Sequence, residues 1–187
     1  MFRSFLLLAA SLSASHATNV IFIHPDGAGI AHWQAARFIK AGPDGELHWD
    51  HLPEIAIYRG HVNDNLTATS NGGATVHAYG VKVPAKAFGS DGSSANPPTS
   101  AGGKKESLMI EAKNAGYRVG VINSGTIIEP GTACFLSSVK ERKEYEEITS
   151  QVVASGADII LSGGEEWMLP AGQPGYHGPG KRTDKRN

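Results

Sequence analysis

Apolar residues along the chain fall into short blocks with two different periods. Val20, Ile21, Phe22 and Ile23 form an unbroken run that ends at His24-Pro25-Asp26-Gly27, the pattern of a strand buried on both faces and closed by a tight turn. Residues 30–41 then place Ile30, Trp33, Ala36, Phe38 and Ile39 at helical spacing before Gly42-Pro43, a stop signal. Residues 55–59 read as a second strand, and Ser70 opens a run of small residues that reads as a helix. Residues 88–105, rich in Gly, Pro and Ser, read as a loop. A helix is expected over 107–115 with Leu108, Met109 and Ala112 inward, stopped by Gly116. Next come a strand over 117–122, a polar turn over 123–126, and a helix opening at Glu129-Pro130-Gly131-Thr132 with Phe135, Leu136 and Val139 inward. A helix over 146–154 and a strand over 157–161 follow, and from Met168 onward Pro, Gly and charge dominate. Strands alternating with helices, with glycine-rich turns after the strands, predict an α/β fold: three layers, a mostly parallel central sheet and helices on both faces. No internal repeat interrupts the order.

Residues 1–17 stand apart from this alternation. Arg3 precedes the apolar run from Phe5 to Ala10, and Ser15 and Ala17 stand before Thr18, the layout of a secretory signal peptide. The expected division is therefore a leader over 1–17 and an α/β portion over 18–187. The apolar run is too short to cross a bilayer comfortably, so no membrane span is expected after cleavage, and the destination is periplasmic or extracellular. A formal net charge of −1 over 187 residues argues against a nucleic-acid module or a membrane-surface role. The single cysteine, Cys134, has no partner in this stretch and sits among Ala133, Phe135 and Leu136, which suits a small buried hydrophobe.

Two places carry candidate chemistry. In Thr69-Ser70-Asn71-Gly72-Gly73-Ala74-Thr75 a hydroxyl stands at a helix start, where unpaired N–H groups and the helix dipole favour a phosphate or a developing alkoxide. Thr69 or Ser70 would serve equally well as a plain helix cap. Asp26, at the carboxyl end of the first expected strand, lies where open α/β sheets place ligands; it is either a helix cap or a hard-oxygen ligand for a metal ion. His48, His51 and His61 lack the helical pairing of a zinc site and are expected to face solvent or cap helices.

Taken together, three windows resemble the alkaline phosphatase family. Val20-Ile21-Phe22-Ile23-His24-Pro25-Asp26-Gly27-Ala28-Gly29 is similar to that family's strand followed by Asp-Gly-x-Gly. Ser70, followed by Ala74-Thr75 and Gly80-Val81-Lys82, matches the spacing around its nucleophile. Gly131-Thr132 through Val139-Lys140-Glu141-Arg142 resembles the segment holding a magnesium-ligand Thr and the phosphate-binding Arg. The resemblance implies hydrolysis of small phosphate monoesters through a phosphoserine at Ser70, with Arg142 binding substrate and Asp26, Ser70 and Thr132 binding metal. The cofactors it implies are Zn2+ and Mg2+, and it leaves room for a homodimer of a full-length form.

The departures are Thr69, where the family usually has an Asp that pairs with the phosphate-binding Arg, and Arg142, one residue short of the family's spacing from Thr132. The family's remaining ligands lie farther along than residue 187 would reach, so the chain is expected to be the N-terminal part of such an enzyme and weakly active or inactive alone. Two rival readings stand beside it. One is a phosphodiesterase or sulfatase relative with Thr69 as nucleophile and Asn71 contacting the ester oxygens. The other is a non-catalytic nucleotide-binding fragment built on Asp26-Gly27-Ala28-Gly29, which lacks the full dinucleotide fingerprint.

Overall fold

Local signals fix most of the helices. In the computed structural model, which describes residues 19–184, helix α1 spans Ile30–Ala41 and α2 spans Ser70–Tyr79. Helix α3 spans Leu108–Asn114, α4 is the single turn Pro130–Ala133, and α5 spans Tyr145–Ala154. Gly80, at φ +69°, ends α2 in the left-handed conformation that an L side chain resists. Ser107 starts α3 by accepting the Ile110 N–H at 3.2 Å, and Pro130 occupies the first turn of α4, where its missing N–H costs nothing. The leader expected over 1–17 lies outside the described residues.

Strands β1 (Gly120–Thr126) and β2 (Ile159–Gly163) pair in parallel, with Gly120 opposite Ile159, Val121 opposite Ile160 and Ile122 opposite Leu161. Asp158 sets their entry. Its carboxylate accepts the Val119 N–H at 2.9 Å and pairs with Arg118, and these two contacts, the backbone one first, hold its pKa below the usual carboxylate range. The core lies between α2, α4 and α5: Ala74, Ala78 and Tyr79 of α2 meet Phe88, Phe135, Leu136 and Val139, with Ile148 and Val152 of α5 and Val121 of β1. Thr75, fully buried on the same helix, accepts the Gly89 N–H at 2.8 Å and lies within donating distance of the Asn71 and Ala87 carbonyls, at 2.9 and 3.0 Å. That satisfies a hydroxyl whose burial would otherwise be costly.

Three expectations are corrected. Residues 19–23 and 55–59 are extended but form no strand: Val20 is 85% and Ile55 99% exposed, because a strand exists only through a partner's N–H and C=O groups and neither run has one among the described residues. Strand β1 begins later than expected and absorbs the polar turn at 123–126, since β2 extends far enough for Gly163 to pair with Thr126 and to accept the Ile127 N–H at 2.8 Å. On α3 it is Ile110 that packs beside Met109 against the core, while Leu108 is exposed.

Helix α1 buries no residue and is tied instead to the 3-10 turn His48–His51. Arg37 forks Asp50 through two bonds of 2.6 and 2.5 Å, and Trp33 meets Trp49 edge-on at 4.7 Å between ring centres. The Arg37 guanidinium, helped by the Leu47 N–H, holds the Asp50 carboxyl at about 2.

Two outcomes are expected. Ile148→Ala, which empties a fully buried site, should lower unfolding stability by about 2–5 kcal/mol in a urea titration, whereas Ile55→Ala should change it by less than about 0.5 kcal/mol. Because Asp50 is depressed in the folded chain, its contribution is present above its unfolded pKa and is lost as pH falls through about 2. Tryptophan fluorescence from the Trp33–Trp49 contact should show an acid transition there, absent in Asp50→Asn.

Candidate functional site

The N-terminus of α2 is shaped by a chain crossing above it. Thr69 is the N-cap: its hydroxyl accepts the Gly72 N–H at 3.1 Å and donates to the Ala85 carbonyl. Gly72 also donates to Ala85 O at 3.2 Å, and a Cβ on Gly72 would stand 3.0 Å from both Ala85 Cα and Pro84 O. Glycine at position 72 lets residues 84–85 lie this close without a shift of the crossing chain. With Thr69 committed to the cap and the crossing loop, Ser70 is left half-buried with its Oγ 3.4 Å from Asp26 Oδ1, as a donor to the carboxylate.

Asp26 sits in a turn where its own N–H bonds His24 O and the Ala28 N–H bonds Pro25 O, both at 3.1 Å. Aromatic contacts hold that turn against α2. His24 meets His77 edge-on at 4.7 Å, and Phe22 and Tyr58 reach the same imidazole at 5.3 Å each. Burial, then the neighbouring His24 and Lys82, lower the His77 pKa, which favours the neutral ring. Position 131 is also close, since a Cβ on Gly131 would lie 3.7 Å from His24 Nδ1, so the Asp26 turn runs beside the start of α4.

At that start Thr132 Oγ1 accepts from Asn123 Nδ2 at 2.9 Å and lies 3.4 Å from the Glu129 carbonyl. Arg142, exposed, reaches back across the site: Nη1 lies 3.4 Å from Asn71 Oδ1 and Nη2 3.0 Å from Glu129 Oε2. With side chains 43% and 37% exposed, the Arg142–Glu129 pair is worth at most about 1 kcal/mol to stability. Of the four residues singled out from the sequence, Asp26 and Ser70 are in direct contact, and Arg142 and Thr132 are linked to them through Asn71 and Glu129. Asp26 touches Ser70, Ser70's neighbour Asn71 touches Arg142, and Arg142 touches the Glu129 that caps Thr132's helix.

Sequence reasoning missed Glu129 as a partner of Arg142. It stands thirteen residues before the Arg, a separation with no local period to reveal it. Cys134 matches expectation: it is buried beneath this helix start, and burial pushes its thiol up to about 12. His48 and His51 face solvent, the latter 3.5 Å from Glu46. The Gly27-Ala28-Gly29 turn leads into α1 as a dinucleotide loop would, but the Gly29 N–H is taken by His32 Nδ1 at 3.0 Å.

The donors that Asp26, Ser70 and Thr132 present are hard oxygens, suited to magnesium and acceptable to zinc. Among the described residues no group of three or more His, Cys, Asp or Glu side chains is placed to hold a metal ion.

Comparison with known proteins places these observations in a family. The alkaline phosphatase family model matches residues 17–187. The chain is 25% identical to the alkaline phosphatase of Gadus morhua over 95% of its own length and 43% of the relative's. To the human tissue-nonspecific isozyme it is also 25% identical, over 85% of the chain and 35% of the relative. The chain thus spans less than half the length of these curated relatives. Among solved structures, the cold-active alkaline phosphatase of a Shewanella species superposes with a TM-score of 0.64 at 28% identity, over 76% of this chain and 35% of that one. The alkaline phosphatase of the Antarctic bacterium TAB5 shares the fold with a TM-score of 0.65 at 22% identity, over 76% and 38%. A variant of the TAB5 protein is described with Mg bound in its M3 site.

The division of labour between the two hydroxyls can be measured. Thr69→Ala, which removes the cap and the tie to Ala85, should cost about 1–2 kcal/mol in a denaturant titration, and Ser70→Ala less than about 0.5 kcal/mol.

Proposed function

We propose that this chain, which belongs to the alkaline phosphatase family, carries the nucleophile-bearing part of a phosphate monoester hydrolase. The observation that supports it best is the freedom of Ser70: Thr69 does the capping, and Ser70 faces Asp26 Oδ1 at 3.4 Å from a helix N-terminus. In the reaction Ser70 Oγ attacks phosphorus, the ester P–O bond breaks, and the alcohol leaves with a proton. Water then cleaves the P–Oγ bond of the phosphoserine and releases inorganic phosphate. Arg142 forks the phosphoryl oxygens, a planar bidentate grip that an ammonium cannot give. The helix N-terminus adds partial positive charge where oxygen charge accumulates, and positioning and cations carry most of the barrier reduction in such transfers.

Asp26 and Ser70 would hold zinc, and Asp26 with Thr132 magnesium. When bound, these ions lower the pKa of a coordinated hydroxyl and neutralise developing charge. A catalytic zinc takes three protein ligands, and the cluster offers two, so this stretch by itself turns over little or no ester. Thr69 is an unsuitable nucleophile because its hydroxyl is spent on Gly72 and Ala85, which counts against the diesterase or sulfatase alternative built on it. Residues 1–17 serve as an export leader, giving a periplasmic or extracellular protein that is a homodimer in full-length form. No helix among the described residues is long and apolar enough to cross a membrane.

The test is acid-quench trapping with labelled p-nitrophenyl phosphate in the presence of zinc and magnesium on a longer protein that carries this stretch, with this chain alone, expected to form little label, as the control. Labelled phosphoserine should form at Ser70 and persist in Thr69→Ala. Metal-dependent turnover should fall by about a thousandfold or more in Ser70→Ala. Label retained in Ser70→Ala would overturn the assignment.

A further inference from the structure

We infer that Asn65 is an acceptor for N-linked glycosylation, its co-substrate an oligosaccharide carried on a lipid pyrophosphate. The inference rests on the export reading of residues 1–17, because such donors meet chains that are leaving the cytoplasm. Asn65-Leu66-Thr67 is the one Asn-x-Ser or Asn-x-Thr triplet in the 187 residues, and its middle residue is not Pro. A triplet of this kind is used only where a transferase can reach it. All three residues are exposed, Leu66 at 92%.

The local geometry singles out the side-chain nitrogen. The Thr67 N–H and hydroxyl both donate to Asn65 Oδ1, at 3.2 and 3.3 Å, the pattern of an Asx turn. Nδ2 is left without a partner among the described residues. Asn63, Asn114 and Asn123 differ, each spending Nδ2 on an acceptor: the Lys82 carbonyl at 3.0 Å, Glu106 Oε2 at 2.6 Å and Thr132 Oγ1 at 2.9 Å. The turn also stands on fixed ends. The Asn63 N–H donates to Val83 O at 3.0 Å, Asp64 Oδ1 accepts the Ala85 N–H at 2.7 Å, and the Asn65 carbonyl accepts the N–H of buried Val62 at 3.1 Å. The chain thus presents the triplet outward from a support that makes no use of the Asn65 amide nitrogen.

In the transfer, Asn65 Nδ2 attacks C1 of the first sugar while the C1–O bond to pyrophosphate breaks. The lipid pyrophosphate leaves with the bonding pair, and the amide gives up one proton to the transferase. Asn65 precedes Ser70 by five residues, at most about 18 Å of extended chain, so the glycan would border the approach to the candidate nucleophile.

The experiment expresses this chain in a eukaryotic secretory host, once with residues 1–17 and once with a host leader in their place. Secreted and retained chains are read together by mass spectrometry before and after peptide N-glycosidase, which leaves an Asp where a glycan stood. Among chains whose host leader has been cleaved, a glycan is expected at Asn65, lost in Asn65→Gln and in Thr67→Ala and kept in Thr67→Ser. Retained chains are included so that a variant that fails to fold still reports its modification. Asn65 left unmodified on chains that have lost the host leader, or a glycan that persists in Asn65→Gln, would overturn the inference. Modification behind the host leader but not behind residues 1–17 supports Asn65 as the acceptor and counts against the export reading alone.

Discussion

One hydroxyl, that of Thr69, carries the geometry on which the site depends. It closes the N-terminus of α2 by accepting from Gly72 and at the same moment holds the crossing chain by donating to Ala85. Serine and threonine at helix starts are ordinarily consumed by such capping. Two adjacent hydroxyls allow the work to be divided, with the first residue structural and the second unencumbered. Gly72 favours the arrangement, because a Cβ there would press on Ala85 and Pro84 at about 3.0 Å.

From that helix start the cluster spreads by weak, exposed contacts. The Ser70–Asp26 and Arg142–Asn71 distances are both 3.4 Å, long for hydrogen bonds, and the Arg142–Glu129 pair is solvent-accessible. The strong interactions lie underneath, in the packing of α2 against Phe88, Phe135 and Val139, and in Thr75's bond from Gly89. The groups above this packed scaffold are left with donors and acceptors to spare. Such a division is usual where side chains must engage something besides each other.

The starts of the helices were largely legible in the sequence because their signals are local: Thr69 and Gly80 bracket α2, Ser107 opens α3, and Pro130 opens α4, though α4 ends at Ala133 and the expected helix carrying Phe135, Leu136 and Val139 does not form. Of the candidate residues drawn from short motifs, the fold sets Ser70 beside Asp26, while Arg142 and Thr132 adjoin them through Asn71 and Glu129. The strands were less legible. An apolar run such as Val20 to Ile23 specifies a preference for extended backbone, while strand formation is a property of two segments, and the pairing is not written in either one. The Glu129–Arg142 contact escaped for a related reason: nothing in a thirteen-residue separation shows that a loop turns back onto the helix start. The capping assignment also needed coordinates, because Thr69 and Ser70 are chemically interchangeable until the position of Ala85 is known.

The depth at which Cys134 lies has a bearing on the redox chemistry of this stretch. Its thiol is enclosed beneath α2, held by burial in the protonated form, and has no other cysteine within this stretch to meet. The described fold therefore closes without an oxidising step and offers nothing for a disulfide isomerase to correct. Within this stretch, a reducing and an oxidising medium therefore leave the same covalent bonds in place.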